Sequence, residues 1–217
     1  MHQFEDGSLS LTAVGPLGPF ANNAYVIADR EAGEAIIVDM PQQSERTLEA
    51  ARGLRVTAIL LTHTHPDHWA EYDRVKAATG APVLCHPAER LMPAGKIDRA
   101  LADGDRLKVG RNSVEVIHTP GHTPGSCCFL AGHYLISGDT LFPGGPGHSD
   151  SPQELRQAIA SITERLYTLP DDTLVLPGHG EGTTIGLSRE EYAAFASREH
   201  PPDLCGDVTW ESAEGAP

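Results

Sequence analysis

Apolar and polar positions alternate over residues 8–14. A second apolar stretch covers 24–28, and a third, 34–40, contains Ala35-Ile36-Ile37-Val38. These spacings predict three early strands, with turns at Gly7, in the cluster 15–19 and at Gly33. From Ser44 the pattern changes to helical spacing, with Leu48 and Ala51 on one face and Gly53 as the stop. Residues 56–61 are a continuous apolar run, predicted as a buried strand that ends in Thr62-His63-Thr64-His65. Pro66 suits a first helical position, and the helix it opens should run to Thr79 before Gly80.

Further along, 82–85 predicts a short strand, 87–91 a short helix, and 107–109 and 113–118 two strands. Strands at 126–130 and 134–136 should be joined by a turn at Ala131-Gly132-His133. The Gly- and Pro-rich stretch 142–151 predicts an ordered loop. The clearest helix covers 151–169, where Leu155, Ile159, Ile162 and Leu166 recur at three and four. Ser151, Pro152 and Glu154 supply a cap, a first-turn proline and an acidic first turn. Residues 173–176 predict a strand entering Pro177-Gly178-His179-Gly180, and a last helix runs from Ser188 to Arg198. The expected organisation is one mixed α/β domain over residues 1–200 and a frayed tail over 201–217. Periodicity alone leaves a doubly wound sheet and a two-sheet sandwich both open.

Composition narrows the function classes. The 217 residues carry 16 Lys plus Arg against 30 Asp plus Glu, a formal charge of −14. The acidic residues are spread along the whole chain. Such a surface repels phosphate backbones and anionic membranes, so the expected partner is a small-molecule substrate, with neither nucleic acid nor membrane. No run approaches the roughly 18 apolar residues of a membrane span. The first residues lack a basic and then apolar leader pattern, so a cytoplasmic location is expected. The composition does not determine an oligomeric state.

Cys85, Cys127, Cys128 and Cys205 form no Cys-x-x-Cys pair and read as reduced thiols. Cys127 and Cys128, adjacent in a strand, should point to opposite faces.

Eleven histidines are more informative. His63-Thr64-His65-Pro66-Asp67-His68 places three imidazoles and a carboxylate within six residues, directly after a buried strand. Imidazole and carboxylate are ligands suited to zinc or iron. His63 and His65, two apart in extended chain, face the same way and can share one metal. Asp67 and His68 lie beyond the proline, point elsewhere, and can hold a second. Three weaker signals also follow strands: Pro120-Gly121-His122-Thr123-Pro124-Gly125, Gly138-Asp139-Thr140, and Pro177-Gly178-His179-Gly180. If they converge on one sheet edge, five histidines and two aspartates suit two metals.

Through residues 62–68, 119–126, 137–142 and 176–180, in that order, the chain resembles the metallo-β-lactamase fold superfamily. Within it, the glyoxalase II-like hydrolases are the most similar, and the resemblance covers roughly residues 8–200. It implies an αββα sandwich with metals at one edge of the two sheets. It also implies that His63, His65 and His122 bind one metal, that Asp67, His68 and His179 bind the other, and that Asp139 bridges them. The implied cofactors are two divalent ions, zinc first, with iron or manganese as alternatives. The implied activity is hydrolysis of a thioester by a metal-bridging hydroxide, with Asp67 as the catalytic proton carrier.

A bridging aspartate such as Asp139 is general among glyoxalase II-like hydrolases, lactonases and persulfide dioxygenases, but not among metallo-β-lactamases. A mononuclear iron persulfide dioxygenase, a lactonase and a β-lactam hydrolase are therefore the alternatives. Full-length glyoxalase II carries a helical domain that grips glutathione. Here 217 − 179 leaves only 38 residues after His179, and no Lys or Arg occurs between Asp139 and Arg156. Glutathione bears two carboxylates and would want cations, so another thiol carrier, or a different thioester or ester, is expected. His148, in the same loop, is a candidate substrate contact. His86 and His118 are expected to support or pack near the motifs, and His2, His133 and His200 to be exposed. Asp39, at a strand end, either orients the metal loop or makes a turn.

Overall fold

The structure, a computed structural model, describes residues 1–210. Its first sheet contains β1 (His2–Asp6), β2 (Leu9–Leu17), β3 (Asn22–Asp29), β4 (Glu34–Val38), β5 (Arg55–Leu60), β6 (Val83–Cys85) and β7 (Arg99–Ala100), laid side by side in chain order. The first four pair antiparallel because tight turns join them. From β4 onward pairing is parallel. Parallel neighbours need crossovers, supplied first by α1 (Glu45–Ala50) and then by α2 (Tyr72–Thr79).

The second half builds β8 (Arg106–Val109), β9 (Asn112–His118), β10 (Cys127–Ala131) and β11 (Tyr134–Gly138), then a small hairpin of β12 (Leu141–Phe142) and β13 (Gly145–Pro146). Helix α3 (Pro152–Ser161) crosses to β14 (Leu174–Pro177), parallel to β11, before β15 (Thr183–Thr184) and α4 (Ile185–Ala196). The second sheet has the order β15-β14-β11-β10-β9-β8.

Alternation along the strands makes three apolar layers. Ile27, Ile36, Val38 and Leu60 meet Val116, Phe129 and Ile136 between the sheets. Their chain neighbours Val26, Ile37 and Ile59 pack on the opposite face with Leu48 of α1 and Val75 of α2. Ile117, Leu135 and Val175 pack with Leu155 of α3 and Phe195 of α4. Both sheets are thus covered on both faces, which is the expected αββα sandwich in a single domain. Cys127 lies between the sheets and Cys128 on the helix side, as adjacent strand residues must.

Several expectations need correction. β1 was not expected, because it is an exposed edge strand whose burial scarcely alternates. The helix expected from Pro66 is divided: a 3-10 turn, Pro66–Trp69, precedes α2, which stops at the left-handed Gly80 (φ +64°). Residues 87–91 form turns and bends and no helix. The helix expected over 151–169 ends its regular part at Ser161 and continues as one wider turn, Ile162–Leu166. Its cap is as expected, with Ser151 accepting the Glu154 N–H. His200 is half-buried and stacks on Phe195 at 3.7 Å.

The tail is packed as far as Trp210. That ring is fully buried, and its backbone N–H donates to the Gly144 carbonyl at 2.6 Å. Residues 211–217 lie outside the described residues. No helix among the described residues is long and apolar enough to cross a membrane.

Candidate metal centre

Parallel pairing brings the carboxyl ends of β4, β5, β11 and β14 to one edge of the sandwich, and the loop after β9 arrives there too. Asp39 follows β4, His63 and His65 follow β5, His122 follows β9, Asp139 follows β11 and His179 follows β14. The two sheets are tied at this edge by the Cys127 N–H, which donates to the Thr62 carbonyl at 2.8 Å.

All seven expected ligands come together. His63, His65 and His122 form one group whose ligand atoms lie within 4.8 Å of one another; Asp67, His68 and His179 form another, and His63, His68 and Asp139 a third. In the first, His65 Nδ1 sits 3.0 Å from His63 Nε2 and 2.9 Å from His122 Nε2. In the second, His68 Nε2 is 3.2 Å from His179 Nε2. Asp139 faces both: Oδ1 is 3.5 Å from His68 Nε2, and Oδ2 is 3.4 Å from His179 Nε2 and 3.7 Å from His122 Nε2.

The backs of the rings explain this inward geometry. His63 Nδ1 meets Thr62 Oγ1 at 3.1 Å, and His68 Nδ1 meets Asp39 Oδ2 at 2.9 Å. His122 Nδ1 meets the His148 carbonyl at 2.9 Å, and His179 Nδ1 meets the Phe20 carbonyl at 2.8 Å. Each oxygen accepts an Nδ1–H, which leaves the Nε2 lone pair for the centre. Nitrogen lone pairs converging at about 3 Å repel unless a cation lies between them. Asp139 Oδ1 is buried and makes no hydrogen bond. The donor set therefore fits two metal ions.

The electrostatics set the proton states of the metal-free ligands. Burial, then the neighbouring imidazoles, hold His63 well below its ordinary pKa, so it stays neutral and able to ligate. Burial acts against charge on Asp139, but His179 and His68 outweigh it and keep the carboxyl well below its usual range. Burial also opposes charge on His68. The Asp39 and Asp139 carboxylates outweigh it, and the pKa is raised well above the ordinary value.

Asp39 resolves the choice left open by the sequence. Besides His68 it binds the Thr62 N–H at 2.9 Å and the Thr62 hydroxyl at 2.8 Å, so it orients the metal loop. Its own backbone is left-handed (φ +62°), which aspartate tolerates. Sequence reasoning missed two further residues. The Asn22 side-chain N–H donates to Asp67 Oδ2 at 2.7 Å, and Asn22 also makes a β-bridge with His179. Glu89 is a buried carboxylate between the two loops of the first histidine group. Its Oε2 accepts the Thr64 N–H at 2.8 Å and the Thr64 hydroxyl, while Oε1 accepts the Gly125 N–H at 3.0 Å and the Thr123 hydroxyl. Its only advance signal was an acidic residue in the stretch read as helix.

His86 and His118 stack at 3.8 Å outside the three ligand groups. His148 lines a cleft of about 340 Å³ that also touches His122 and Asp139.

The family model described as the metallo-beta-lactamase superfamily matches residues 17–179. An uncharacterized protein of Aquifex aeolicus is 37% identical over 193 residues, covering 80% of this chain and 92% of that protein. A hydroxyacylglutathione hydrolase of Polaromonas sp. is 42% identical over 167 residues, covering 74% of this chain and 62% of that enzyme. Among solved structures, the BLEG-1 B3 metallo-beta-lactamase superposes with a TM-score of 0.72 at 32% identity, over 83% of this chain and 96% of that one. TTHA1623 in a di-iron-bound form gives 0.69 at 33% identity, over 82% and 96%. Sandwich, ligand edge and sequence match agree: the chain belongs to the metallo-beta-lactamase superfamily of metal-dependent hydrolases.

Proposed function

We propose that this protein is a dinuclear hydrolase of thioesters, similar to hydroxyacylglutathione hydrolase. The observation that carries the reading is Asp139, one carboxylate facing His122 on one side and His68 and His179 on the other. Two bound divalent metals, zinc first among the candidates, supply Lewis acidity and acidify a water toward neutral pH. The chain's own residues do the rest. The Nδ1 hydrogen bonds hold four imidazoles in the ligating tautomer. Asn22 donates to Asp67 Oδ2, the oxygen that also lies 3.5 Å from His68 Nε2 and His179 Nε2, and so holds in place the carboxylate that would take and return a proton. The cleft beside His122 and Asp139 gives the substrate a seat, with His148 on its wall. The expected partner is a small molecule, and the proposed location is the cytoplasm.

A β-lactam substrate is the second reading, supported by the likeness to the BLEG-1 enzyme. Asp139 weighs against it, because a bridging aspartate is not general among β-lactam hydrolases.

The test joins metal analysis of protein purified without added metal or chelator to a panel of acyl-thiol esters scored by thiol release. Two metals per chain and release that disappears in Asp139→Ala and His65→Ala are expected. Near-normal turnover in either variant overturns the dinuclear reading. One iron per chain with oxygen uptake transfers the assignment to a persulfide dioxygenase.

A further inference from the structure

One wall of the cleft beside the candidate metal ligands is built by the C-terminal tail. Gly206 exchanges backbone hydrogen bonds with Ser149 at 2.8 and 3.2 Å, and buried Val208 and Trp210 pin the segment to the helix-side layer. This brings Asp207 to the cleft, where its Oδ1 lies 2.8 Å from His148 Nδ1. On the other side of the same ring, Asp150 Oδ1 lies 3.3 Å from His148 Nε2.

The charge of this trio has one sign whichever proton state His148 adopts. Two carboxylates and an imidazolium sum to −1, and two carboxylates and a neutral ring to −2. Apart from His122 and Asp139 on the metal side, and Thr209, the rest of the lining is apolar or glycine, including Phe142, Pro143, Pro146 and Val208, and none of the described lining residues is Lys or Arg. On the wall away from the metal side, a carboxylate on the substrate would find no side-chain cation and would meet like charge. An amide, hydroxyl or ammonium would find acceptors on Asp207 and backbone carbonyls.

We propose that the substrate arm seated in this cleft carries no net negative charge, so that the thiol carrier is an uncharged polar or an amine-bearing thiol rather than a dicarboxylate such as glutathione. This deepens the thioester reading and rests on it.

The experiment compares one acyl group on three carriers: glutathione, the uncharged N-acetylcysteamine and the cationic cysteamine, each with the metal-loaded wild type and with Asp207→Asn. The expected kcat/KM for the two carriers without carboxylates exceeds that for glutathione by about tenfold, no more than a moderate ratio because both carboxylates of the trio are largely solvent-exposed. Raising salt should shrink the ratio, as a purely steric wall would not. Asp207→Asn should shrink it by about fivefold, by improving the glutathione ester. Equal or better turnover of the glutathione ester, or a ratio indifferent to salt and to Asp207→Asn, overturns the proposal.

If no thioester is cleaved by protein holding its metals, the thioester reading fails separately. The same ratio is then read from calorimetric binding of the matched S-alkyl thioethers of glutathione and N-acetylcysteamine. Tighter binding of the glutathione compound overturns the charge rule, and tighter binding of the uncharged one upholds it.

Discussion

Asp39 Oδ2 stands 2.9 Å behind His68 Nδ1, on a ring whose Nε2 faces His179 across 3.2 Å. The pair is wholly buried, so water cannot replace the carboxylate if it is lost. The carboxylate fixes the tautomer and makes the far nitrogen a better ligand. Asp39→Asn keeps the volume and removes the charge. It should weaken metal binding at the Asp67–His68–His179 group by about 10–100-fold while leaving the other group filled. Stepwise metal titration with a chelator of known affinity checks this; simultaneous loss of both metals would contradict it.

Glu89 makes a parallel prediction for the other group. It is the acceptor for two backbone N–H groups and two hydroxyls from the loops bearing His63, His65 and His122. Glu89→Gln replaces one accepting oxygen with a donor facing donors. The fold should lose about 1–3 kcal/mol, the usual cost of stranding a buried polar group, as read by urea unfolding of metal-free protein. Metal retention at the His63–His65–His122 group should fall more than at its neighbour.

Gly178 is a steric case. A Cβ there would lie 2.2 Å from Asp139 Oδ1 and 2.8 Å from His68 Cε1, with no room to yield because both groups are packed. Gly178→Ala should therefore push a bridging carboxylate and a ligand ring apart. Loss of at least one metal per chain, with near-native circular dichroism, is the expected result. Full metal content would show that the centre tolerates displacement.

Metal binding should depend on pH with a defined sign. Burial lowers the pKa of His68 and of His179, but carboxylate neighbours more than compensate, and both end above the ordinary value. An imidazolium cannot ligate, so binding must expel these protons. Affinity should fall as pH falls through the raised values, and protons should be released on binding near neutrality. Calorimetry in two buffers of different ionisation enthalpy measures that release; none at neutral pH would mean that the metal-free site does not hold these protons.

The strands and their faces were legible because burial on both sides of each sheet forces apolar runs, and Cys127 and Cys128 separate as period-two geometry demands. The ligand list was legible for a different reason. Metal ligands must be particular residue types at strand ends, so the His63–His68 motif announces itself without any tertiary information. The boundaries were less so. The helix expected from Pro66 gives way to a 3-10 turn that aims Asp67 and His68, and the stretch around Glu89 unwinds to place one carboxylate between two loops. Trp210 closes a layer whose need for a large ring no local pattern displays.

What the amino-acid sequence determined by itself is chemistry and periodicity: which residues offer ligand atoms, which faces are apolar, and a net charge of −14. Tertiary structure alone decided which oxygen stands behind each imidazole, that Asn22 and Glu89 belong to the centre, and that the tail carries Asp207 to His148. These contacts join residues 36 to 111 positions apart in cases such as Glu89 with Gly125 and His68 with His179. They exist only because two sheets and their crossovers bring distant strand ends to one edge, a juxtaposition that no local spacing encodes.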